Sequence, residues 1–179
     1  MSAAPPGADA TPAEIVCRPV GIVRSRFVVP EGVPVQPAGA PEQTASVEVL
    51  PAYAAGLRDL SGFDHLILVT HFHLCTRELL ELTPFLDDRT HGIFATRAPA
   101  RPNRIGLSVV RLLAIEGRLL HVGGNDFVDG TPVLDIKPYV ARFDAPVPGR
   151  IGWFEGRLDD LAQRRADGRH ASGGGAALL

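Results

Sequence analysis

Residues 106–124, GLSVVRLLAIEGRLLHVGG, read as two apolar, β-branched runs joined at Glu116-Gly117, which is the signature of a hairpin. Segments of the same kind recur along the chain: IVCRPVGIVRSRF at 15–27, SVEVL at 46–50, HLILVTHFH at 65–73 and TPVLDIKPYV at 131–140. Only two short helical patterns lie between them. PAYAAGL carries Pro51 at a natural first helical position, and TRELLEL has Thr76 as its N-cap. At least six mostly sequential strands with so little helix predict a mainly β chain, an antiparallel barrel or sandwich and not a βαβ sheet. No GxGxxG follows a strand, which excludes the usual dinucleotide or methyl-donor pocket of the Rossmann type.

A hydrophobic fraction of 45 % over 179 residues is enough for one sizeable core. The Ala/Pro/Gly-rich residues 1–13 read as a disordered lead, 14–145 as the β domain, and 146–179 as a short helix with a flexible tail. That helix is expected in WFEGRLDDLAQRRAD, where Leu158, Leu161 and Ala162 fall at helical spacing, and it needs the barrel or a partner chain to dock on. The N-terminus shows no signal-peptide pattern, and no run approaches the ~18 apolar residues of a membrane span, so a cytoplasmic protein without a membrane partner is expected. Cys17 and Cys75 stand far apart in apolar surroundings and are expected to be core thiols.

The net charge of −2 and the pI near 6.3 argue against a protein that coats nucleic acid through bulk charge. Positive charge is nevertheless concentrated: four arginines and no acidic residue lie from Arg89 to Arg104. Within HGIFATRAPARPNRIGLS, Pro99 and Pro102 hold the backbone extended while Arg101, Asn103 and Arg104 are interleaved with them. Such a stiff cationic loop suits a carboxylate or phosphate, with Arg97 and Arg101 placed to grip one bidentately. The competing reading is structural, with arginines closing salt bridges on Asp87 and Asp88. In NDFVDGTPVLDIKPY, Asp126, Asp129 and Asp135 gather near a tight turn. Strand alternation puts Val133, Asp135, Lys137 and Tyr139 on one face and Leu134 and Ile136 on the other, toward the core. A structural Asp–Lys pair after the turn is the alternative there. His71 and His73, followed by Glu78, superficially suit a divalent metal, but no later histidine motif closes such a site and no metal is expected.

Taken together and in this order, GIVRS, GLRDLSGFDHLILVTHFH, HGIFATRAPARPNRIGLS and DFVDGTPVLDIKPY resemble the signature blocks of the TsaA-like (TrmO, YaeB) family of tRNA methyltransferases, over about residues 15–144. The resemblance implies a single small antiparallel β-barrel domain with short helices, using S-adenosyl-L-methionine, and a homodimer with the donor near the subunit interface. The implied activity is N6-methylation of threonylcarbamoyl-adenosine beside the tRNA anticodon. Carried over by motif, donor contacts fall on His71 and Phe72, on Arg97, on Leu107, and on Asp129, Gly130 and Thr131. Pro34 and Gln36 remain from a segment that is FGIPRQ-like in many relatives, with Val35 in the arginine's place. Asp135 and Lys137 then line the same cavity.

Methyl transfer from a sulfonium is an in-line displacement that requires alignment at about 3–3.5 Å and no metal. The acylated acceptor nitrogen is a poor nucleophile until its proton is taken, so a base is needed, and Asp126 and Asp135 both qualify, with Lys137 beside them. Arg89, Arg101, Asn103 and Arg104 remain for the anticodon loop of the tRNA. Three other readings stay open: a methyltransferase of the same fold with a non-tRNA acceptor, a non-catalytic S-adenosylmethionine-binding dimer, and a cupin-like metalloenzyme.

Overall fold

The structure is a computed structural model that describes residues 14–147 and 149–167. The expected lead and the end of the tail lie outside the described residues. Among the described residues eight strands form: β1 (Gly21–Arg24), β2 (Thr44–Val49), β3 (His65–His71), β4 (Glu81–Leu82), β5 (His91–Gly92), β6 (Ile105–Glu116), β7 (Leu119–Gly123) and β8 (Pro132–Pro138). Six of them close an antiparallel barrel in the order β1-β2-β7-β6-β3-β8, while β4 and β5 pair separately. Closure removes every open edge from the barrel.

Alternation along the strands fills the interior. On β6, Gly106, Ser108 and Val110 point inward and Ile105, Leu107 and Val109 outward. Val23, Val47, Leu66, Leu68, Leu120 and Val122 are fully buried at the centre. The β6–β7 hairpin turns through Gly117 and Arg118, with Gly117 at φ +61°, a left-handed value that a side chain would resist.

Four expectations are corrected. TRELLEL is not a helix: its Leu79 N–H donates to the Ala100 carbonyl at 3.0 Å and Glu81–Leu82 pairs with β5. Burial of Leu82 with Cys75, Ile93 and Ala100 in a second small core outweighs local helix propensity. The C-terminal helix is replaced by two 3-10 turns, Gly152–Phe154 and Leu161–Gln163, because Gly152 and Gly156 take φ of +64° and +70° and break any helical run. Cys75 is buried as expected, but Cys17 precedes β1 and is exposed. On β8, Val133 is fully buried although it was placed on the outer face, because Thr70 pairs with Val133 and Val69 with Asp135, leaving Leu134 as an extra residue in a bulge. The bulge flips the alternation, so Val133 and Ile136 both pack inward. PAYAAGL is helical as read, as a 3-10 segment with Pro51 at its start. No helix among the described residues is long and apolar enough to cross a membrane.

Where β7 ends, fully buried Asn125 ties three segments together. Its amide donates to Ser25 Oγ at 2.8 Å and to the Thr44 carbonyl at 3.1 Å, and its Oδ1 accepts from Phe127 N–H at 3.0 Å. Replacement by alanine strands these partners in a dry interior. Asn125→Ala is expected to cost about 3 kcal/mol of folding free energy, read as a lower urea midpoint at unchanged m-value; a loss under about 0.5 kcal/mol would show that water replaces the amide.

Candidate functional site

Four segments converge at the end of the barrel where β3 stops and β6 and β8 begin: residues 30–38, residues 72–104, the β7–β8 connection at 124–131, and a C-terminal strap at 150–167. Between them lie a cavity of about 540 Å³ and a smaller one of about 100 Å³, which share Phe72, Phe85, Pro99, Asp126 and Val128 in their walls.

Asp126 is the acid at the centre of this space. Both of its carboxylate oxygens lie 3.0 Å from the Ser108 hydroxyl, which projects inward from β6. Burial pushes the Asp126 carboxyl up to about 7, although the Ser108 hydrogen bond and the Arg97 charge act the other way. A carboxyl with that value carries its proton part of the time at neutral pH and both accepts and returns one readily.

Arg97 stands exposed on the rim, its Nη1 donating to Gln36 Oε1 at 2.7 Å. Arg97, Gln36 and Pro34 line the larger cavity, and Val35 lies between the latter two in the same wall. Phe72 borders both spaces and Thr131 the smaller one. His71 and His73 are separated, because β3 ends at His71, on the outer side of the sheet, and the chain turns so that His73 lines the smaller cavity. Burial lowers the pKa of both; Arg104 adds to this for His71, and His71 adds to it for His73 against the opposing pull of Asp129. Among the described residues no three His, Cys, Asp or Glu side chains stand close enough to hold a metal ion.

The remaining sequence-predicted residues lie elsewhere. Asp129 and Gly130 form the turn before β8: Asp129 Oδ1 accepts from Ser25 N–H at 2.9 Å, and Gly130 takes φ +76°. Leu107, Asp135 and Lys137 are on the outer face of the barrel, and the last two pair at 2.6 Å with Lys137 exposed and Asp135 half-buried. The expectation that Asp135 and Lys137 line the cavity is therefore corrected: on β8 they stand in register with outward-facing Val69 and Ile67 of β3. In the cationic loop, Arg101 Nη1 lies 3.4 Å from the Thr96 carbonyl and Arg104 Nη1 donates to the Cys75 carbonyl at 2.8 Å, while Arg89 and Asn103 are exposed.

Asp87 pairs with groups other than the arginines of that loop. Its side chain is 2 % exposed, with Oδ2 2.9 Å from His91 Nε2 and 3.4 Å from Arg157 Nη2 on the strap. The His91 bond, reinforced by Asp88 and the Arg89 N–H, holds the Asp87 carboxyl far below the usual carboxylate range despite its burial. Above this anchor Trp153 donates its indole N–H to the Ala95 carbonyl at 2.7 Å and stacks on His91 at 4.6 Å and on Phe154 at 3.8 Å. Trp153, Phe154, Leu158 and Leu161 line the larger cavity. Sequence reasoning missed these four as site residues, along with Ser108 and Phe85. The aromatic pair in an otherwise polar C-terminal segment was the available signal.

A family model described as the tRNA-methyltransferase O N-terminal domain matches residues 22–145. A probable S-adenosyl-L-methionine-binding protein of Pyrococcus abyssi is 47 % identical over 161 residues, 90 % of this chain and 88 % of its own. The human tRNA (adenine(37)-N6)-methyltransferase is 34 % identical over 86 % of this chain and 40 % of its own length. The crystal structure of TrmO from Pseudomonas aeruginosa superposes with a TM-score of 0.66 at 39 % identity, over 78 % of this chain and 62 % of that one. The chain thus spans less than two thirds of that TrmO and under half of the human enzyme. With a barrel of this topology and a family match over most of its length, the chain belongs to the tRNA-methyltransferase O family.

Proposed function

We propose that this protein is an S-adenosyl-L-methionine-dependent methyltransferase that acts on N6 of threonylcarbamoyl-adenosine beside the tRNA anticodon. The observation that carries the reading is Asp126, a half-buried carboxyl raised to about 7 that faces a cavity of about 540 Å³ with Arg97 on its rim. It joins a proton acceptor matched to neutral pH with an anion-binding group, in a space of the size small ligands occupy. The Pyrococcus relative's name supports the donor and the human relative's name supports the acceptor.

The lining suits that donor. Arg97 is placed to take a carboxylate, Gln36 holds its guanidinium in position, and Phe72 and Phe85 offer flat apolar surface. When bound, S-adenosylmethionine supplies a methyl group on a cationic sulfur. The chain's part is to hold donor and acceptor in line and to take the acceptor's N6 proton onto an Asp126 oxygen, whose orientation Ser108 fixes. Asp135 is set aside as the base because it pairs with Lys137 on the outer face. Arg89 and Asn103 are the members of the cationic loop displayed for RNA.

The same reading includes a homodimer. Ile105, Leu107 and Val109 are 41 %, 50 % and 37 % exposed in a row on β6, beside outward-facing Ile67 and Val69 of β3. An apolar sheet face of this kind is the surface a second copy covers, and it would bring Leu107 to the interface.

Methyl transfer to tRNA carrying the acylated adenosine, read by mass spectrometry of its nucleosides, is the direct test. Transfer to a small molecule with tRNA inert would move the reading to another acceptor, and no transfer to any pool would end it. The rate is expected to rise about tenfold per pH unit below 7 and to level off above, as Asp126 loses its proton. Asp126→Asn is expected to lower turnover on the order of 10²- to 10⁴-fold with donor binding retained. Folding stability follows the same group. The native state holds this proton between about pH 4 and 7 while the unfolded chain has released it, so stability falls as pH rises across that window and the Asn variant flattens the fall. Arg97→Ala is expected to weaken the donor at least about tenfold in calorimetric titration. Leu107→Glu is expected to yield a folded monomer in sedimentation, where the parent sediments as a dimer; a parent monomer would remove the dimer from the reading.

A further inference from the structure

The strap is fixed firmly on the barrel side and left open toward the cavity. Arg157 ties it to buried Asp87, and Trp153 is held by both its N–H and its ring. Gly39 backs it closely: a Cβ there would lie 2.7 Å from the Leu161 carbonyl oxygen, so only glycine lets the strap seat. On the cavity side Trp153 and Phe154 present aromatic surface, their planes 24° apart. A strap meant only to seal the barrel end would fill the space beneath it, yet about 540 Å³ remains. Rigid aromatic surface facing solvent in a space of that size gains most from a flat ring laid against it.

The polar part of the lining comes from other elements. Gln36 precedes the 3-10 turn at Pro37–Gly39, Arg97 lies on the 72–104 segment, and Asp126 lies on the β7–β8 connection. One wall therefore suits a flat apolar ring and the others suit charged groups, which is the division an adenosyl compound requires.

We propose that the Trp153–Phe154 pair is an adenine-stacking subsite built into the C-terminal strap, with Phe154 as the contact ring and Trp153 as its support. The proposal rests on the methyltransferase reading above and adds residues outside the segment 22–145 that the family model matches. The ring is an adenine, from either the methyl donor or the acceptor nucleoside. Stacking serves both, since it requires a π-face and no particular substituents.

Trp153 is the chain's single tryptophan, so its emission reports directly on the subsite. The full chain and its Phe154→Ala, Phe154→Tyr and Gly39→Ala variants are titrated with S-adenosylmethionine, S-adenosylhomocysteine and an anticodon stem-loop RNA. Calorimetry and Trp153 fluorescence are recorded in parallel. Saturable quenching of Trp153 is expected, with Kd raised roughly 10-fold or more in Phe154→Ala and restored by Phe154→Tyr. Gly39→Ala, which displaces the strap and leaves the rings intact, is expected to red-shift the emission of the free protein and to weaken the same ligand. Weakening of the two adenosyl compounds assigns the subsite to the donor, and weakening of the RNA alone assigns it to the acceptor base. If the parent binds these ligands by calorimetry while Trp153 emission stays unchanged and Phe154→Ala binds equally well, the subsite is overturned and the methyltransferase reading stands. If the parent binds none of them, both fall. Should Phe154→Ala fail to fold, the parent's emission and the Gly39→Ala titration decide alone.

Discussion

Pairing of β1 with β8 is the contact on which the rest of the structure depends. Gly21 and Ile22 lie opposite Val133 and Pro132, and beyond them the Val23 N–H donates to the Thr131 carbonyl at 2.9 Å while the Gly130 N–H returns to the Val23 carbonyl at 2.9 Å. These bonds join the first strand of the barrel to the last. Pro132, which has no N–H to give, sits at the start of its strand, where the loss is tolerated. The seam also draws in the β7–β8 connection: the Asp129 carboxylate accepts from the Ser25 N–H, and Asn125 reaches back to Ser25 and Thr44. Asp126, set between Asn125 and Phe127, is thereby held against Ser108 at the barrel end.

Above this rigid floor the cavity walls come from segments with little regular structure, positioned by a few polar contacts. Asp87 has the largest role, since one nearly inaccessible carboxylate of the 72–104 segment bonds His91 of the same segment and forms an ion pair with Arg157 of the strap. Removing either partner would leave a buried charge partly unpaired, a costly state, so the two segments are fixed relative to each other. Arg101 and Arg104 act within their own loop, bonding backbone carbonyls at Thr96 and Cys75, and Arg104 does so from φ +51°. Of the cationic stretch, Arg97 is the member that borders the cavity. A stretch that reads as one patch is thus divided between holding the loop and facing a ligand.

What the sequence made legible follows from periodicity and from chemistry that acts over short spans. The six barrel strands declared themselves by apolar alternation, and the turn at Gly117 by the residue its backbone needs. Arg97, Gln36 and Phe72, identified by motif, and Asp126, one of two acids named as the base, do meet at one cavity. Val133 was misplaced because a one-residue bulge at Leu134 reverses the faces, and a bulge leaves no mark on a seven-residue pattern; Asp135 and Lys137 do stand opposite core-facing Ile136 as alternation requires, and only the carry-over from the family put them in the cavity. TRELLEL was misread because its helical spacing is real but weaker than the burial of Leu79 and Leu82 in a core that only tertiary contact creates.

The sequence alone determined the antiparallel β character, the absence of a Rossmann phosphate loop and the family, because strand alternation and contiguous motifs are written locally along the chain. The tertiary structure decided which acid faces the cavity, which arginine borders it, and that the C-terminal segment becomes an aromatic wall. Each of these depends on residues far apart in the chain, Ser108 against Asp126, Gln36 against Arg97 and Asp87 against Arg157. These pairings arise only once the barrel has closed and brought the residues together.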